Sequence, residues 1–338
     1  LDQLAEVKRI PIEVASDTVV LNADDPRCLR MAVKASAENV CYVTLNPEHA
    51  LVREHIRAGG HAVALEKGIN GEMISIFANG SHIPLLWTHL IPATLEGQAI
   101  HNVQNAMFAA GMAYAMGVKL DDIRQGLRTF DTTYFQAPGR MNVFDQNGFK
   151  VILDYGHNPA AVEAMCTLTD RLAQSDALGT NGKRICVLSA PGDRRDEDIA
   201  ETARVAAGRF DHYICRRDDH PRGREAAEVP TMLKQTLIAQ GVDESKIELI
   251  VDEEEAVEAA LEKCQQGDLL LIFADNISRT WKQIVQRGGE TKEETKTTEP
   301  VSIGLVSEES YPEFEPPAGQ KVLRDGRGVL LVVDEEAD

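Results

Sequence analysis

Apolar runs alternate with stretches of helical periodicity along most of the chain. In the first part, the apolar runs within 18–26 and 39–46 predict strands, and a helical pattern follows each of them. Asn79-Gly80 separates two further short apolar runs, which is the pattern of a β-hairpin. The Ala-rich stretch 101–128 predicts helix with a break near Gly117. The first part is therefore predicted to be α/β with a helical end.

The alternation becomes regular beyond 136–140, where the segment QAPGR suggests a domain boundary. Five apolar runs predict strands, and a segment with helical spacing follows each of them. The predicted helices cover 159–174, 196–208, 230–241, 253–265 and 277–287. Strands that alternate with helices of this length imply βαβ units and a mostly parallel sheet.

These patterns predict an α/β fold made of two domains and a tail. The first domain covers 1–136 and the second covers 137–288. The polar, unpatterned stretch 288–300 is typical of a linker. It opens an acidic tail over 289–338, in which the apolar run 328–334 predicts a last edge strand.

Charge and composition narrow the class of protein. The net charge of −19 disfavours a nucleic-acid partner, because such binding needs clustered Lys and Arg. The chain has no run of 18 apolar residues, so we expect neither a membrane-spanning helix nor a membrane partner. The 6 cysteines are scattered without a C-x-x-C pair, which indicates neither zinc nor a disulfide framework and fits a reducing cytoplasm.

Polar residues follow several of the predicted parallel strands directly. In an open parallel sheet, ligands gather at the carboxyl ends of the strands. That rule selects the loops Asp154–Asn158, Pro191–Asp196 and Asp275–Arg279 as candidate binding segments.

The segment LDYGHNP has side chains suited to nucleotide binding. Asp154 ends a predicted strand, where a carboxylate can accept hydrogen bonds from ribose hydroxyls. His157 precedes a helix N-terminus, which favours phosphate, while Asn158 and Pro159 have the residue types of a cap and a first helical position. The structural alternative is that Asn158 only caps the helix and His157 is a solvated turn residue.

Two further segments contain side chains suited to ligand binding, and each of them also has a purely structural explanation. APGDRRDEDI, at 190–199, places two arginines after a strand, and guanidinium groups bind phosphate or carboxylate well. Spacing alone favours a charged helix entry there. Asn102 and Asn105 lie three residues apart, hence on one helix face, and carboxamides can pair with an adenine edge. Helix capping by Asn102 explains the same residues.

Taken in order, the segments NADDP, HNVQN, PGR, DYGHNP and GDRR resemble the latter half of a Mur ligase. This family of ATP-dependent amide ligases includes the muramoyl-peptide and folylpolyglutamate enzymes. Longer segments, among them LDYGHNPAAVEAM, APGDRRDEDI and FADNISRTWKQI, are similar to the cyanophycin synthetase branch over about 1–288 and more weakly beyond. The resemblance implies a partial central domain over 1–136 and a Rossmann-like C-terminal domain over 137–288.

The resemblance also implies a nucleotide site. Asn102 and Asn105 match the pair that contacts adenine in the family. Arg140 of PGR matches the arginine that reaches the ATP phosphates from the C-terminal domain. Asp154 matches the ribose contact, and His157 matches a neighbouring nucleotide or substrate contact. On this basis Arg140 and His157 are the predicted catalytic residues.

A substrate site follows from the same resemblance. Asp193 and Arg194 fall in the loop where such ligases face the incoming amino acid, and we assign Asn158 to substrate binding as well. Gly156 stands where the family often has Ala, a change that we expect to be tolerated.

The implied cofactors are ATP and Mg²⁺. In the family, ATP phosphorylates a carboxylate and an amine attacks the acyl phosphate. In the cyanophycin synthetases the Mur-like region joins arginine to aspartate side chains of a polyaspartate backbone. We therefore expect ATP, arginine and the aspartate polymer as partners, and a homo-oligomer for the full-length protein. The alternatives are another Mur-type amino acid ligase, acting on muramoyl peptides or folate, and a non-catalytic subunit that serves assembly.

Residues 179–183 read GTNGK, which has the composition of a phosphate-binding loop but not its context. A Walker A loop follows a strand and opens a helix, with Ser or Thr after the Lys. Here a helix precedes, a strand follows, and Arg184 takes the Ser/Thr position. We expect a surface turn at 179–183, with the phosphate loop and the magnesium ligands upstream of Leu1. The chain alone is then predicted to turn over little ATP.

Overall fold

A computed structural model describes residues 2–146, 148–175, 182–288 and 314–333. The chain divides into two compact units. The first unit comprises 1–130 together with 299–338, and the second comprises 131–298. Both units are α/β, as predicted from the alternation of apolar runs and helical patterns.

The first unit is built around a five-stranded sheet with the order β1-β2-β3-β4-β5. Its strands are β1 Thr18–Asn22, β2 Asn39–Thr44, β3 His61–Gly68, β4 Gly71–Ala78 and β5 Ser81–Trp87. Its helices are α1 Asp2–Val14, α2 Pro26–Met31, α3 Ala50–Arg57, α4 Ile100–Ala115 and α5 Leu120–Thr129. The first three strands are parallel, and β4 and β5 add antiparallel neighbours.

Two local predictions in this unit are confirmed. Asn79 and Gly80 connect β4 to β5 with φ angles of 52° and 72°, the left-handed conformation that tight hairpin turns require. The long Ala-rich segment breaks into α4 and α5 at Gly117, whose φ is 77°.

The tail of the chain forms a hairpin of its own. Strand β12, Gln320–Asp325, pairs antiparallel with β13, Gly328–Val333, in a separate two-stranded sheet. The predicted strand is therefore present, and it lies in a small sheet of its own. Val329, Leu330 and Leu331 of β13 are buried in the core of the first unit, and burying this apolar face stabilises the hairpin there.

The second unit contains the regular βαβ alternation. Its strands are β6 Asn142–Phe144, β7 Lys150–Asp154, β8 Arg184–Leu188, β9 His212–Cys215, β10 Ile247–Leu249 and β11 Leu269–Phe273. Its helices are α6 Pro159–Gln174, α7 Asp196–Ala206, α8 Glu228–Ala239, α9 Glu253–Lys263 and α10 Ile277–Gly288. The sheet has the order β10-β9-β8-β11-β7-β6, parallel throughout except for β6.

Strand β11 lies in the middle of this sheet, between β7 and β8. The chain runs outward from β8 to β10 and then returns to fill the gap beside β7. Helices α6, α7 and α8 pack in sequence on one another, and α9 packs on α10. Nearly every residue of the central strands is buried, because helices cover both faces of a parallel sheet.

Two predictions fall wholly or partly on segments that the structure does not describe. The linker at 288–300 lies outside the described residues beyond Gly288, as do residues 179–181 of the GTNGK segment. The remaining two residues of that segment lead into β8: Gly182 donates its backbone N–H to the Gly267 carbonyl, and Lys183 donates its own to Asp268. Lys183 therefore lies at the amino end of the strand.

Candidate functional site

The carboxyl ends of β7, β11 and β8 lie side by side in the second unit. Asp154 is paired with Phe273 in the register of β7 and β11, so the turn after Asp154 and the loop after Phe273 are neighbours. The loops after β8 and β9 continue the same edge. The structure thus brings the three predicted loops together, and we call this region the carboxyl edge.

Arg140 lies in a loop that a buried asparagine holds in shape. The Asn142 carboxamide donates to the carbonyls of Thr132 and Ala137, both at 2.8 Å, and accepts the Gly139 N–H at 2.7 Å. The Arg140 side chain itself is exposed. The sequence did not indicate a role for Asn142, because an asparagine at the start of a short strand has no distinctive pattern.

Asp154 binds backbone groups on both sides of its carboxylate. One oxygen accepts the Met141 N–H at 2.8 Å and the other accepts the Gly156 N–H at 2.7 Å. The side chain is only 9% exposed, and this burial raises the pKa of the Asp154 carboxyl, against the opposing effects of the two N–H groups and of Arg140 and His157. Asp154 therefore links the Arg140 loop to the turn that follows β7.

His157 is half-buried in that turn. Its Nδ1 lies 3.1 Å from the Tyr155 carbonyl, to which it donates, so Nε2 is the ring nitrogen that is left for another partner. The Tyr155 ring lies 5.1 Å from the imidazole, and the Arg140 guanidinium lies 6.0 Å from the centre of the same tyrosine ring. Arg140, Tyr155 and His157 thus form one side of the carboxyl edge.

Asn158 caps helix α6. Its side-chain oxygen accepts the Ala161 N–H at 3.0 Å, and Pro159 takes the first helical position. Capping accounts for this oxygen, while the role assigned to Asn158 in substrate binding stays a prediction.

Gly156 has no room for a larger side chain. A Cβ at this position would lie 2.9 Å from the Phe273 ring and 3.1 Å from an Asp154 oxygen. Glycine at a position where the family often has Ala therefore fits the packing of this chain.

Asp193 and Arg194 lie on the exposed loop after β8. Asp193 pairs with Arg222 at 3.2 Å, and the Arg194 carbonyl accepts a hydrogen bond from Arg224 at 2.9 Å. Arg224 also donates to the Gly192 carbonyl at 2.7 Å. The loop after β8 is thus held to the loop after β9.

A buried ion network, which the sequence analysis missed, lies behind these loops. Arg216 and Glu253 are both fully buried and pair at 2.9 Å. Glu253 also accepts the N–H groups of Asp275 at 2.7 Å and Asn276 at 3.0 Å, and so fixes the start of the loop after β11. Arg216 donates to the Phe273 carbonyl at the end of β11. Glu253 therefore positions the backbone of the loop after β11 and the Arg216 side chain at the end of β9.

The network extends to the surface through Arg279 and Asp219. Arg279 donates to Asp219 at 2.8 Å and to Glu253 at 3.0 Å. The Arg279 hydrogen bond lowers the pKa of Asp219, whereas burial raises the pKa of Asp218, which lies 3.5 Å from Arg216. The edge therefore presents carboxylates in two different protonation environments.

Asn102 and Asn105 lie on α4 in the first unit. Asn102 donates to the Ala93 carbonyl at 2.7 Å, and Asn105 donates to the Asn102 carboxamide oxygen at 3.1 Å. The helix begins after Ala99, without a side-chain cap, so the alternative that Asn102 caps the helix is wrong. The adenine contact assigned to the pair stays a prediction.

Three further observations concern the described residues only. They contain no group of three His, Cys, Asp or Glu side chains that could hold a metal ion. None of their helices has the length and apolar character needed to cross a membrane. All six cysteines are free thiols, and burial raises the pKa of Cys41, Cys166 and Cys215 to about 12.

Residues 139–276 match the family model of the Mur ligase, glutamate ligase domain. This range starts at the Arg140 loop and ends in the loop after β11. The chain carries a Mur ligase domain. Cyanophycin synthetase of Trichormus variabilis is 36% identical over 296 residues, covering 85% of this chain and 31% of that protein. The predicted resemblance to the Mur ligases and to the cyanophycin synthetases is thereby confirmed.

Other Mur-type proteins are similar over the same part of the chain. The UDP-N-acetylmuramoyl-L-alanyl-D-glutamate–2,6-diaminopimelate ligase of Zymomonas mobilis is 28% identical over 291 residues, covering 84% of this chain and 51% of that protein. A folylpolyglutamate synthase structure from Mycobacterium tuberculosis has a TM-score of 0.55 at 16% identity, covering 86% of this chain and 60% of that one. The predicted Mur-type α/β fold is therefore confirmed. The chain spans about a third of the length of the cyanophycin synthetases it matches.

Proposed function

We propose that the chain forms the Mur-like part of an ATP-dependent amide ligase that joins arginine to aspartate side chains of a polyaspartate backbone through an acyl phosphate. The observation that carries the proposal is the carboxyl edge of the Mur ligase domain. There the Arg140–His157 side lies on the same sheet edge as the acidic loops after β8, β9 and β11. The similarity to cyanophycin synthetases over 85% of the chain supports arginine and aspartate as the substrates.

Arg140 and His157 are the groups we assign to the phosphates. The Arg140 guanidinium is exposed at the tip of a loop held by Asn142 and Asp154, so its backbone is fixed while its charge remains available. His157 directly precedes the N-terminus of α6, where a helix dipole favours anions. Positive charge held in place around a transferred phosphoryl group stabilises the charge that develops there.

The acceptor amine is assigned to the acidic side of the edge. Asp193, Asp218 and Asp275 come from the loops after β8, β9 and β11, and arginine is a cation. The guanidinium of Arg222 is paired with Asp193 and lies near Asp218 and Asp275. These carboxylates therefore already accommodate one guanidinium group, which supports arginine as the amine.

ATP, when bound, supplies the phosphoryl group that converts the aspartate carboxylate into an acyl phosphate for attack by the amine. Within the proposal, Asn102 and Asn105 contact adenine, Asp154 contacts ribose, and Asp193, Arg194 and Asn158 face the substrate. Asp154 keeps acceptor capacity beyond its two backbone bonds, because a carboxylate has about four lone-pair sites. Mg²⁺, a cytoplasmic location and a homo-oligomer belong to the same proposal.

A second candidate is ligation of a different amino acid, as the similarity to the Zymomonas mobilis ligase suggests. The two candidates differ in the amine that drives phosphate release. In the full-length protein, we expect ATP-dependent phosphate release that requires both an aspartate polymer and arginine. Lysine, diaminopimelate, alanine and glutamate serve as matched alternatives. Release with diaminopimelate but not arginine would favour the second candidate, and no release with any amine would favour the non-catalytic subunit.

A further inference from the structure

His55 joins the tail hairpin to the sheet of the first unit. The residue lies on α3 and is fully buried. Its Nε2 is 3.0 Å from the Val40 carbonyl on β2, and its Nδ1 is 3.0 Å from the Val329 N–H on β13. The His55 ring thus binds a strand residue, Val329, that lies 274 positions further along the chain.

The ring fits closely between two glycines. A Cβ at Gly60 would lie 2.3 Å from Nε2, and a Cβ at Gly328 would lie 2.4 Å from Nδ1. Tyr42 packs edge-on against the ring at 4.7 Å. No side chain larger than hydrogen fits at either glycine without displacing the ring. The two glycines therefore allow the imidazole to stay within hydrogen-bond distance of Val40 and Val329.

The two hydrogen bonds define the protonation state of the ring. A backbone N–H can only donate, so Nδ1 must present a lone pair to Val329. A carbonyl can only accept, so Nε2 must carry the proton shared with Val40. The docked hairpin thus requires the neutral tautomer protonated at Nε2. A second proton, on Nδ1, would point at the Val329 N–H and would leave a buried charge.

Titratable and charged side chains lie near His55 on each of the elements that pack against it. Glu54 on α3 accepts the Phe314 N–H and Arg324, both at 2.8 Å. Asp325 and Arg327 pair at the turn of the hairpin, His61 begins β3, and Tyr42 lies on β2. Burial lowers the pKa of His55, so these neighbours do not compensate for the charge of an imidazolium.

We propose that His55 is a proton-sensitive latch, which holds the tail hairpin on the first unit when neutral and releases it when protonated. Release would expose the apolar side chains of β13, which pack in the docked state against Leu29 and Leu51. The hairpin is therefore a detachable element of the fold rather than a fixed edge.

The direction of the pH effect follows from proton linkage. The docked state disfavours the proton, whereas the released state titrates near the ordinary imidazole value of about 6.5. Docking is therefore fully stable above about pH 6.5 and weakens as the pH falls below it. Between pH 7.5 and 5.5, a single group of this kind raises the opening constant by about tenfold. The Arg327 hydrogen bond lowers the pKa of Asp325, so this carboxyl stays ionised across the window.

Hydrogen exchange of the 338-residue chain at pH 7.5 and 5.5 tests the latch, with each rate corrected for its intrinsic pH dependence. We expect the opening constant of the 320–333 amides to rise about tenfold at pH 5.5 in the unmodified chain. His55→Gln can accept and donate but cannot titrate, so its opening constant should change less than about twofold. His82→Gln, at an exposed pair with Glu66, is the matched control and should retain the tenfold response.

An unmodified chain with the same opening constant at both pH values would overturn the proposal, as would a pH response that survives His55→Gln. Should that variant fail to hold the hairpin at pH 7.5, an NMR titration of the His55 ring in the unmodified chain decides. A ring that stays neutral to pH 5.5 while the hairpin is docked supports the latch, and a ring that protonates near 6.5 with the hairpin still docked refutes it.

Discussion

Asp154 and Glu253 are both buried carboxylates at the carboxyl edge of the second sheet, yet they bind different groups. Among the described residues, Asp154 accepts two backbone N–H groups, from Met141 and Gly156, and forms no ion pair. Glu253 accepts two N–H groups as well, but it also pairs with the fully buried Arg216 and with Arg279. Asp154 thus links the Arg140 loop to the turn after β7 through backbone groups alone, whereas Glu253 balances charge in a network that spans the loops after β9 and β11.

The Arg216–Glu253 pair should show the largest effect when broken. Arg216→Ala leaves the Glu253 carboxylate buried with its neutral donors and the ion pair to Arg279. Breaking a buried pair typically lowers the free energy of unfolding by about 3–5 kcal/mol. Denaturant unfolding followed by Trp281, in a Trp87→Phe background, reports on the second unit alone.

Arg195→Ala is the matched control, because Arg195 forms an exposed pair with Asp198. We expect its unfolding curve to overlay that of the unmodified chain. Equal curves for Arg216→Ala and Arg195→Ala would mean that the buried pair adds nothing to stability.

Arg140 should matter for activity and not for folding. In the full-length protein, Arg140→Ala should reduce ATP-dependent phosphate release by about 10²–10³-fold, the usual effect of removing one group that stabilises transition-state charge. The unfolding curve should stay unchanged, since the side chain is exposed.

Lys183→Ala tests whether the GTNGK segment contributes to the same chemistry. Lys183 lies at the amino end of β8, whereas ligands gather at the carboxyl ends. We expect nucleotide binding by the full-length protein to be nearly the same as that of the unmodified protein. A clear loss of nucleotide binding would instead place the phosphates at the amino edge of the sheet.

Gly156 offers a more local test, confined to the turn after Asp154. Gly156→Ala should lower the free energy of unfolding by about 1–3 kcal/mol, the usual range for overpacking, because the new methyl meets the Phe273 ring. Phe273→Leu in the same chain should recover part of the loss. Gly126→Ala is the matched control on α5, where a Cβ meets nothing within 4 Å, and it should raise stability by about 0.5–1 kcal/mol.

The sequence predicted the parallel strands and the helices of the second unit closely, and for a clear physical reason, but it did not predict the short antiparallel strand β6. A parallel sheet covered on both faces needs short apolar runs and amphipathic helices in strict alternation, and that pattern is readable along the chain. The sequence did not predict that β11 lies between β7 and β8, because these central strands are all equally apolar and nothing in them indicates their order in the sheet.

The candidate site was predictable only where short polar motifs follow a strand. DYGHNP revealed Asp154 and His157 in this way. Glu253 stands first in a run of three glutamates after the cap Asp252, and such a run is typical of a solvated helix start. Glu253 alone of the three is buried, and it pairs there with Arg216, which directly follows β9 and lies 37 positions earlier in the chain. Long-range pairing of this kind leaves no local pattern.

The central position of β11 has a consequence for the order in which the second unit can fold during synthesis. Residues 269–273 bridge β7 and β8, so these two strands cannot join into one sheet before the chain has been synthesised beyond Phe273. Until then β7, with β6 beside it, and the group from β8 to β10 each expose an unpaired edge at what will be the centre of the sheet. During synthesis the second unit is therefore most exposed to aggregation in the interval before its last strand emerges from the ribosome.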